Sequence, residues 1–428
     1  MKRNLLVLLN VLIGILKAYS QTGIWSGDIE VDGVKLPLVF HLDENNPTLD
    51  SPAQAVKGIP VQITRTAPDS ISMGIPAIGA VFKGECKSDE IIGIFTQRGI
   101  NLPLVLNPGE KRLRRPQTPQ PPYPYSQEEV CFSNGEAVLR GTLTLPEGVS
   151  RETPVLIMVT GSGLQNRDEE IFNHKPFAVI ADALARNGIA SLCYDDRGFG
   201  ESTGDAVNCT TEDLMYDALP GIRLLRQKFN RVGVLGHSEG GTISFMLGVD
   251  NKIDFIVSLA GMVISGKETL LEQNRYLLSQ AGYPQQIVDE YCGLLSLAFA
   301  GDESVLQKLE TSSLPIELKQ NLQPVLWQLK TPYMQYFLAL DIRDKLGNMG
   351  CPVLALNGTK DTQVFYKSNL NALNKGLPSS SLNKVMALDG LNHLFQHCKT
   401  GSVNEYATIE ETISPEVLEI IAQWIKAL

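Results

Sequence analysis

The chain has 428 residues and carries 37 Lys and Arg against 47 Asp and Glu, which gives a formal net charge of −10 at pH 7. This acidic balance argues against nucleic acid and anionic membrane surfaces as partners, because both repel negative charge. A chain of this length is longer than a domain with one hydrophobic core usually is, so more than one domain is expected.

The first twenty residues have the layout of a cleavable secretory signal. Lys2 and Arg3 precede an apolar run at residues 5–16, and Ala18 and Ser20 place small side chains at the two positions that a signal peptidase reads. The apolar run is too short to span a bilayer comfortably, which favours cleavage over anchoring. We therefore expect an exported protein, periplasmic or secreted, that loses residues 1–20 and keeps no membrane span.

A small all-β domain is predicted at residues 21–107. Short alternating stretches, such as residues 35–42 and 61–64, are separated by Gly, Pro, Asp and Asn, and no helix-length amphipathic segment is present. The proline-rich stretch at 108–125 predicts an extended linker. Trp25 is the single tryptophan of this domain. A position in the core or at an edge is its expected fate, and stacking on a sugar is the alternative.

From residue 126 to residue 428 the pattern changes to apolar strands that alternate with helix-length segments. Two strands flank a Ser-Asn-Gly turn at 133–135 and predict a hairpin. Apolar strands that alternate with helices predict a mostly parallel sheet covered by helices on both faces, the α/β class. The predicted strands are 154–160, 189–194, 232–235, 255–260, 352–356 and 384–388, and the predicted helices are 177–186, 211–228, 240–247 and 415–426.

One segment, residues 265–346, breaks this alternation. It holds several helix-like stretches rich in Leu, Gln and Tyr and falls between two predicted strands of the sheet. We expect it to be an inserted helical cap over the catalytic edge. Aromatic side chains of the cap can wall an apolar pocket, although several must be ordinary helix packing; they are Tyr276, Tyr283, Tyr291, Trp327, Tyr333, Tyr336 and Phe337.

The pattern Gly-x-Ser-x-Gly occurs twice, around Ser202 and around Ser238. A nucleophile elbow needs a strand that runs into a sharp turn and then into a helix. Ser238 has an apolar strand before it and a helical segment after it, whereas Ser202 is followed by loop residues. We therefore predict Ser238 as the nucleophile and Ser202 as a loop serine.

A serine hydroxyl needs a base that accepts its proton. His393 is the favoured base, because it follows the predicted strand at 384–388, at the edge where open parallel sheets build their sites. His397, four residues further on, is the alternative. The remaining histidines of the chain are His41, His174 and His237.

The third member of such a site orients the imidazole and stabilises its cation. Asp361 follows the predicted strand at 352–356 and is the favoured acid, because the chain order Ser238, Asp361, His393 is the order that this fold uses. Capping of the following helix is the alternative role of Asp361. Asp389 is the alternative acid.

An oxyanion hole needs two preorganised N–H donors. The amide of Glu239, the residue after the nucleophile, is one predicted donor. The other is expected in the loop after the first long parallel strand, Thr160-Gly161-Ser162-Gly163, where the glycines let the backbone approach a substrate. By position the donor is Ser162, with Gly163 as the second choice.

Residues 126–428 resemble the α/β-hydrolase superfamily, in its serine esterase and peptidase branch. The resemblance is carried by residues 161–168 and 194–202, by the elbow and by the loops of the predicted acid and base. The whole set is similar to bacterial secreted carboxylesterases that carry a β-rich domain before the hydrolase. This resemblance implies that Asp195, Asp196 and Arg197 organise a loop rather than catalyse. Thr160 is a departure, since many relatives have His there.

The expected function is therefore hydrolysis of carboxylic esters, small or attached to a polymer, through an acyl-enzyme intermediate. A thioesterase, an acyltransferase or a peptidase on the same triad is the alternative, and a non-catalytic binding protein with a relic site is a third possibility. No Gly-rich phosphate loop follows a strand, and the seven Cys show no metal-ligand spacing. We expect neither a cofactor nor a metal.

Overall fold

The computed structural model describes residues 22–31, 34–43, 45–52, 56–67, 69–87, 89–109, 114–250 and 252–428. The predicted signal at 1–20 lies outside the described residues. The chain divides into two compact units, Met1–Arg112 and Leu113–Leu428. Among the helices of the described residues, none combines the length and the hydropathy that a membrane crossing requires.

Nine antiparallel strands form the first unit in the spatial order β4-β3-β2-β1-β9-β8-β7-β6-β5. The edge strands β4 and β5 are separated along the chain by the single residue Val61, so the sheet must curl until its two edges meet. The strands are β1 (Gly23–Val31), β2 (Val34–Leu42), β3 (Thr48–Ser51), β4 (Val56–Pro60), β5 (Gln62–Ala67), β6 (Ser70–Ile75), β7 (Ala80–Cys86), β8 (Ile91–Gln97) and β9 (Ile100–Pro108).

Alternate side chains of these strands point into one apolar core, as the period of two in a strand requires. Phe40, Phe82 and Phe95 are fully or almost fully buried in it. Trp25 belongs to the same core and is 6% exposed. Trp25 is therefore a packing residue, and the alternative of a sugar-stacking surface at this position is wrong. The prediction of an all-β domain is confirmed.

The second unit contains an eight-stranded sheet in the order β10-β11-β13-β12-β14-β15-β16-β17. The strands from β13 to β17 in this order are parallel, and β10 and β11 add antiparallel at one edge. The strands are β10 (Ser126–Asn134), β11 (Ala137–Leu145), β12 (Val155–Val159), β13 (Ala190–Tyr194), β14 (Val232–His237), β15 (Ile256–Leu259), β16 (Val353–Gly358) and β17 (Lys384–Leu388). The predicted mostly parallel sheet is confirmed.

Eleven helices accompany this sheet in the described part of the chain: α1 (Pro176–Arg186), α2 (Thr211–Lys228), α3 (Glu239–Val249), α4 (Gly266–Gln280), α5 (Gln285–Phe299), α6 (Val305–Thr311), α7 (Ile316–Gln328), α8 (Pro332–Ala339), α9 (Tyr366–Gly376), α10 (Val403–Tyr406) and α11 (Pro415–Lys426). One apolar cluster includes Ile222 of α2 and Leu373 of α9. A second includes Leu184 of α1 and Ile421 of α11. Helices therefore cover both faces, as predicted.

The segment predicted as a cap, residues 265–346, consists of helices α4 to α8 and a 3-10 helix, Arg343–Asn348. It is inserted between β15 and β16 and has a small apolar core of its own, which includes Val288, Leu295 and Leu322. Helices with separate packing fit a cap better than an extension of the sheet would.

The second half of the predicted linker at 108–125 is attached to the hydrolase unit. Arg115 donates hydrogen bonds at 2.7 to 3.3 Å to three backbone carbonyls, those of Phe172, Ala407 and Ile409. The side chain of Gln117 donates to the carbonyl of Ile413 at 2.7 Å and accepts from the amide of Thr412 at 2.5 Å. Proline-rich composition predicts an extended backbone, but it does not show which carbonyls lie within reach of the side chains.

Candidate active site

Four loops meet at one edge of the parallel sheet. They follow β12, β14, β16 and β17, which run in the same direction, so their carboxyl ends lie together. These loops carry the predicted oxyanion, nucleophile, acid and base residues in that order. The arrangement therefore gathers residues that are far apart in the sequence.

A strained turn between β14 and α3 presents Ser238. Its backbone has φ 52° and ψ −116°, an unfavourable conformation for a residue with a side chain. A Cβ at Gly236 would lie 1.9 Å from the carbonyl oxygen of Gly240, and a Cβ at Gly240 would lie 2.0 Å from that of Val159. The turn can close only with glycine at both positions, which is the geometry of a nucleophile elbow.

His393 and Asp361 form a buried pair. Their Nδ1 and Oδ2 atoms are 2.8 Å apart, and the residues are 4% and 2% exposed. The other carboxylate oxygen of Asp361 accepts the amides of Gln363 and Val364 at 2.8 and 2.9 Å. Asp361 thus orders the turn before α9 and holds the imidazole at the same time. Because Nδ1 donates to the carboxylate, Nε2 of His393 is left as an acceptor.

Ser238 and His393 line one cavity of about 170 Å³. None of the hydrogen bonds between described residues joins the Ser238 hydroxyl to His393; such bonds are often long before a substrate tightens the site. The cap contributes Thr269, Gln273 and Phe337 to the wall. The nucleophile and the base predicted from the sequence therefore face the same small space, and their roles stay predictions.

The two predicted oxyanion donors, Ser162 and Glu239, also line this cavity. The amide of Gly161 donates to Oε1 of Glu169 at 2.8 Å and is already occupied. No hydrogen bond between described residues uses the amide of Ser162 or of Glu239. Both amides are available to an oxyanion, and this role too stays a prediction.

Asp196 fixes the shape of the oxyanion loop through hydrogen bonds to two of its residues. Its carboxylate accepts the Thr160 hydroxyl at 2.9 Å and the Gln165 amide at 2.8 Å. Burial raises the pKa of Asp196 to about 7. The neighbouring Asp195 accepts the amide of Arg167 at 2.7 Å and its guanidinium at 2.8 Å. These acids organise the loop, and the Thr160 hydroxyl supplies one of its supports.

The alternative residues are used elsewhere. The Ser202 hydroxyl donates to the carbonyl of Asp195 at 2.7 Å and accepts the amide of Arg140 at 2.9 Å, so it closes a loop. His397 has a 62% exposed side chain and pairs with Glu411 at 2.9 Å. Asp389 is exposed and accepts the hydroxyl of Thr359. Neither His397 nor Asp389 lines the cavity.

A polar contact between the cap and the elbow was not predicted. The hydroxyl of Tyr333, on α8, donates to Oε2 of Glu239 at 2.7 Å, and Thr211 donates to Oε1 at 2.5 Å. Burial raises the pKa of Tyr333, so its hydroxyl stays a neutral donor. Phe337 lines the cavity, whereas Trp327 is 63% exposed and does not. The aromatic pattern of the cap could not distinguish these three roles.

Among the carboxylates, imidazoles and thiols of the described residues, no group of three or more is placed to hold a metal ion. The site can perform nucleophilic chemistry with its own side chains. It combines a strained serine, a carboxylate-oriented imidazole in the same cavity and two amides available to an oxyanion.

The fold and these elements define an α/β-hydrolase of the serine type. The chain belongs to the X-Pro dipeptidyl-peptidase (S15) family, whose family model matches residues 135–386. Esterase EstD of Thermotoga maritima is 29% identical over 306 residues, which cover 70% of this chain and 67% of that protein. The protein is therefore a serine hydrolase, and the resemblance to the α/β-hydrolase superfamily is confirmed.

Two solved structures have a similar chain path. One is a proline iminopeptidase of Mycobacterium smegmatis with 15% sequence identity. Its alignment covers 70% of this chain and 98% of the iminopeptidase chain, with a TM-score of 0.46. The esterase Pf2001 of Pyrococcus furiosus is also 15% identical, covers 74% of this chain and 99% of its own, and gives a TM-score of 0.45.

Proposed function

We propose that this enzyme hydrolyses carboxylic esters through an acyl-enzyme on Ser238, with His393 as the base and Asp361 as the residue that orients it. The observation that carries the proposal is the 2.8 Å contact between His393 and Asp361 beside a strained serine in one cavity. The triad order and the serine elbow support the same assignment.

In the first half-reaction, Oγ of Ser238 attacks the ester carbonyl carbon while its proton moves to Nε2 of His393. The tetrahedral oxyanion would accept hydrogen bonds from the amides of Ser162 and Glu239. His393 then gives the proton to the alkoxide oxygen as the bond between the carbonyl carbon and that oxygen breaks, and the alcohol leaves. Asp361 stabilises the transient imidazolium without taking its proton.

In the second half-reaction, water gives a proton to His393 and attacks the acyl carbon. The proton passes back to Oγ of Ser238 when the acyl bond breaks, which releases the carboxylic acid and restores the enzyme. Each step moves a proton only between the serine, the imidazole, the substrate and the attacking water. The proposal therefore needs no cofactor.

An ester is the favoured substrate because the relative from Thermotoga maritima, which aligns with this chain over 306 residues, is named an esterase. A peptidase on the same triad is the second candidate, because the family takes its name from an X-Pro dipeptidyl-peptidase. The two differ in the leaving group: an amine leaves less readily than an alcohol and needs more complete protonation by His393.

The test compares a p-nitrophenyl ester with the p-nitroanilide of the same acyl group, together with labelling by a fluorophosphonate and mass spectrometry. We expect hydrolysis of the ester, weak or absent hydrolysis of the anilide, and one label on Ser238. Hydrolysis of proline anilides above that of any ester would make the enzyme a peptidase. Absence of a label on Ser238 in an active enzyme would refute the proposed nucleophile.

A further inference from the structure

A second imidazole and carboxylate pair lies beside the first and lines the same cavity. Nδ1 of His237 is 3.0 Å from Oε1 of Glu169, and Nε2 of His237 is 2.9 Å from the carbonyl oxygen of His393. His237 is 7% exposed and Glu169 is 2% exposed. The two imidazole rings, of His237 and His393, have their centroids 4.8 Å apart. The mechanism proposed above does not use this pair.

The partners of His237 determine its charge. A backbone carbonyl has no hydrogen to give, and an ionised carboxylate has none either, so both ring nitrogens must donate. Glu169 acts as an acceptor, since the same Oε1 atom also takes the amide of Gly161 at 2.8 Å. An imidazole that donates from both nitrogens is the imidazolium cation. With Glu169 ionised, His237 and Glu169 form a buried ion pair through Oε1.

The pair connects three of the four catalytic loops. Glu169 belongs to the oxyanion loop and holds its first amide, that of Gly161. His237 is the residue before the nucleophile, and its second bond goes to the backbone of the base. At Gly161 an added Cβ would lie only 3.2 Å from the Cβ of Ser238, so the oxyanion loop and the elbow are in close contact here.

We propose that His237 and Glu169 are positioning residues: the cationic imidazole of His237 fixes the base loop and the oxyanion loop relative to Ser238. The inference rests on the proposed function, since it assigns a role around the same nucleophile and base. Both side chains line the cavity, but among the described residues neither is hydrogen-bonded to the Ser238 hydroxyl or to the ring of His393. Their contribution lies in holding His393 and the Ser162 amide at fixed distances from the serine, which governs the chemical step.

The pair also predicts how activity changes at alkaline pH. Burial lowers the pKa of His237, but Glu169, the carbonyl of His393 and the charge of Asp361 together raise it above the ordinary histidine value. His237 therefore keeps its proton to a higher pH than an ordinary histidine, and the contribution of the cation is lost as the pH rises through this raised pKa. Loss of the proton removes one of the two hydrogen bonds and leaves Glu169 as an uncompensated buried charge.

The decisive variant is Glu169→Gln, which keeps the shape of the side chain and removes its charge. We expect kcat to fall by about 10- to 100-fold, as for other residues that orient a catalytic ligand, and KM to change by less than about threefold. The alkaline limb of the pH profile should move to lower pH, because His237 then loses its proton more easily. Glu411→Gln, which breaks the exposed pair with His397, is the matched control and should leave both limbs unchanged.

A direct measurement on the unaltered enzyme covers the case in which Glu169→Gln does not fold. In ¹⁵N NMR of histidine-labelled protein, His237 should show two protonated ring nitrogens at pH 7. A neutral His237 at pH 7, or a Glu169→Gln variant with the wild-type pH profile, would overturn the inference. Ser238→Ala separates the two proposals: if it abolishes activity while Glu169→Gln has no effect, the proposed function stands and only this inference fails.

Discussion

The two Gly-x-Ser-x-Gly stretches share a five-residue pattern but hold their serines in opposite chemical situations. The hydroxyl of Ser202 makes two hydrogen bonds to the backbone, at 2.7 and 2.9 Å, and is buried in a loop. Ser238 stands on a strained turn and faces a cavity beside His393. A hydroxyl that is saturated with structural bonds cannot approach a carbonyl. The pattern alone therefore does not identify a nucleophile, and the strand and helix around it do.

The largest expected effect separates these two serines. Ser238→Ala should lower kcat by about 10⁴-fold or more, because the attacking oxygen is lost while the fold is kept. Ser202→Ala should keep kcat and lower the free energy of unfolding by about 0.5–1.5 kcal/mol, through its lost hydrogen bonds. Initial rates on a p-nitrophenyl ester and urea unfolding measure the two effects. Equal loss of kcat in both variants would contradict the distinction.

A second pair of residues, His393 and His397, extends the same distinction to the base. His393→Ala should reduce kcat by several orders of magnitude, because Ser238 then has no acceptor for its proton. His397→Ala should change kcat by less than about twofold, since exposed substitutions rarely affect a distant site. Activity that survives in His393→Ala and disappears in His397→Ala would move the base to His397.

The last expected effect is on stability rather than on kcat, and it concerns the side chain next to the nucleophile. Tyr333→Phe removes the hydrogen bond from the cap to Glu239 and should lower the free energy of unfolding by about 1–3 kcal/mol, because a buried acceptor loses a donor. Tyr283→Phe is the control, since its hydroxyl makes a longer, exposed contact of 3.3 Å to Glu317. Urea unfolding should show a shift in the first variant alone. Identical midpoints for both would mean that the contact between the cap and the elbow adds no stability.

Local patterns predicted most of the hydrolase sheet. The predicted helix at 211–228 and the observed helix α2 have the same bounds. Thr210 and Asp213 form a capping box, which marks the start of this helix. The strands β12 to β16 are buried on both faces and are therefore nearly continuous apolar runs in the sequence. The order of Ser238, Asp361 and His393 along the chain then predicted which side chains meet at the sheet edge.

Contacts between distant loops could not be predicted in this way. Glu169 and His237 are separated by 68 residues, and Glu169 lies in a loop that has no periodic pattern. Tyr333 was recognised as an aromatic residue of the cap, but its hydroxyl bonds to Glu239 across 94 residues. Nothing in the composition of a loop specifies which remote acceptor a side chain reaches. Such pairs depend on how the loops pack, and this follows only from the folded chain.

The hydrogen bonds of Arg115 and Gln117 set the N-terminal boundary of the hydrolase domain. The side chain of Gln117 accepts hydrogen bonds from the backbone amides of Thr412 and Ile413. The carbonyl of the preceding residue, Glu411, accepts a hydrogen bond from the side chain of Gln396. Gln396 in turn accepts one from Asn392, the residue before the base. A chain that begins at Ser126 would lack the first link of this series, although it would keep every strand of the sheet. A hydrolase domain produced by itself should therefore begin before Arg115. The short segment that precedes β10 is part of this domain, because its side chains hold the loops near the base.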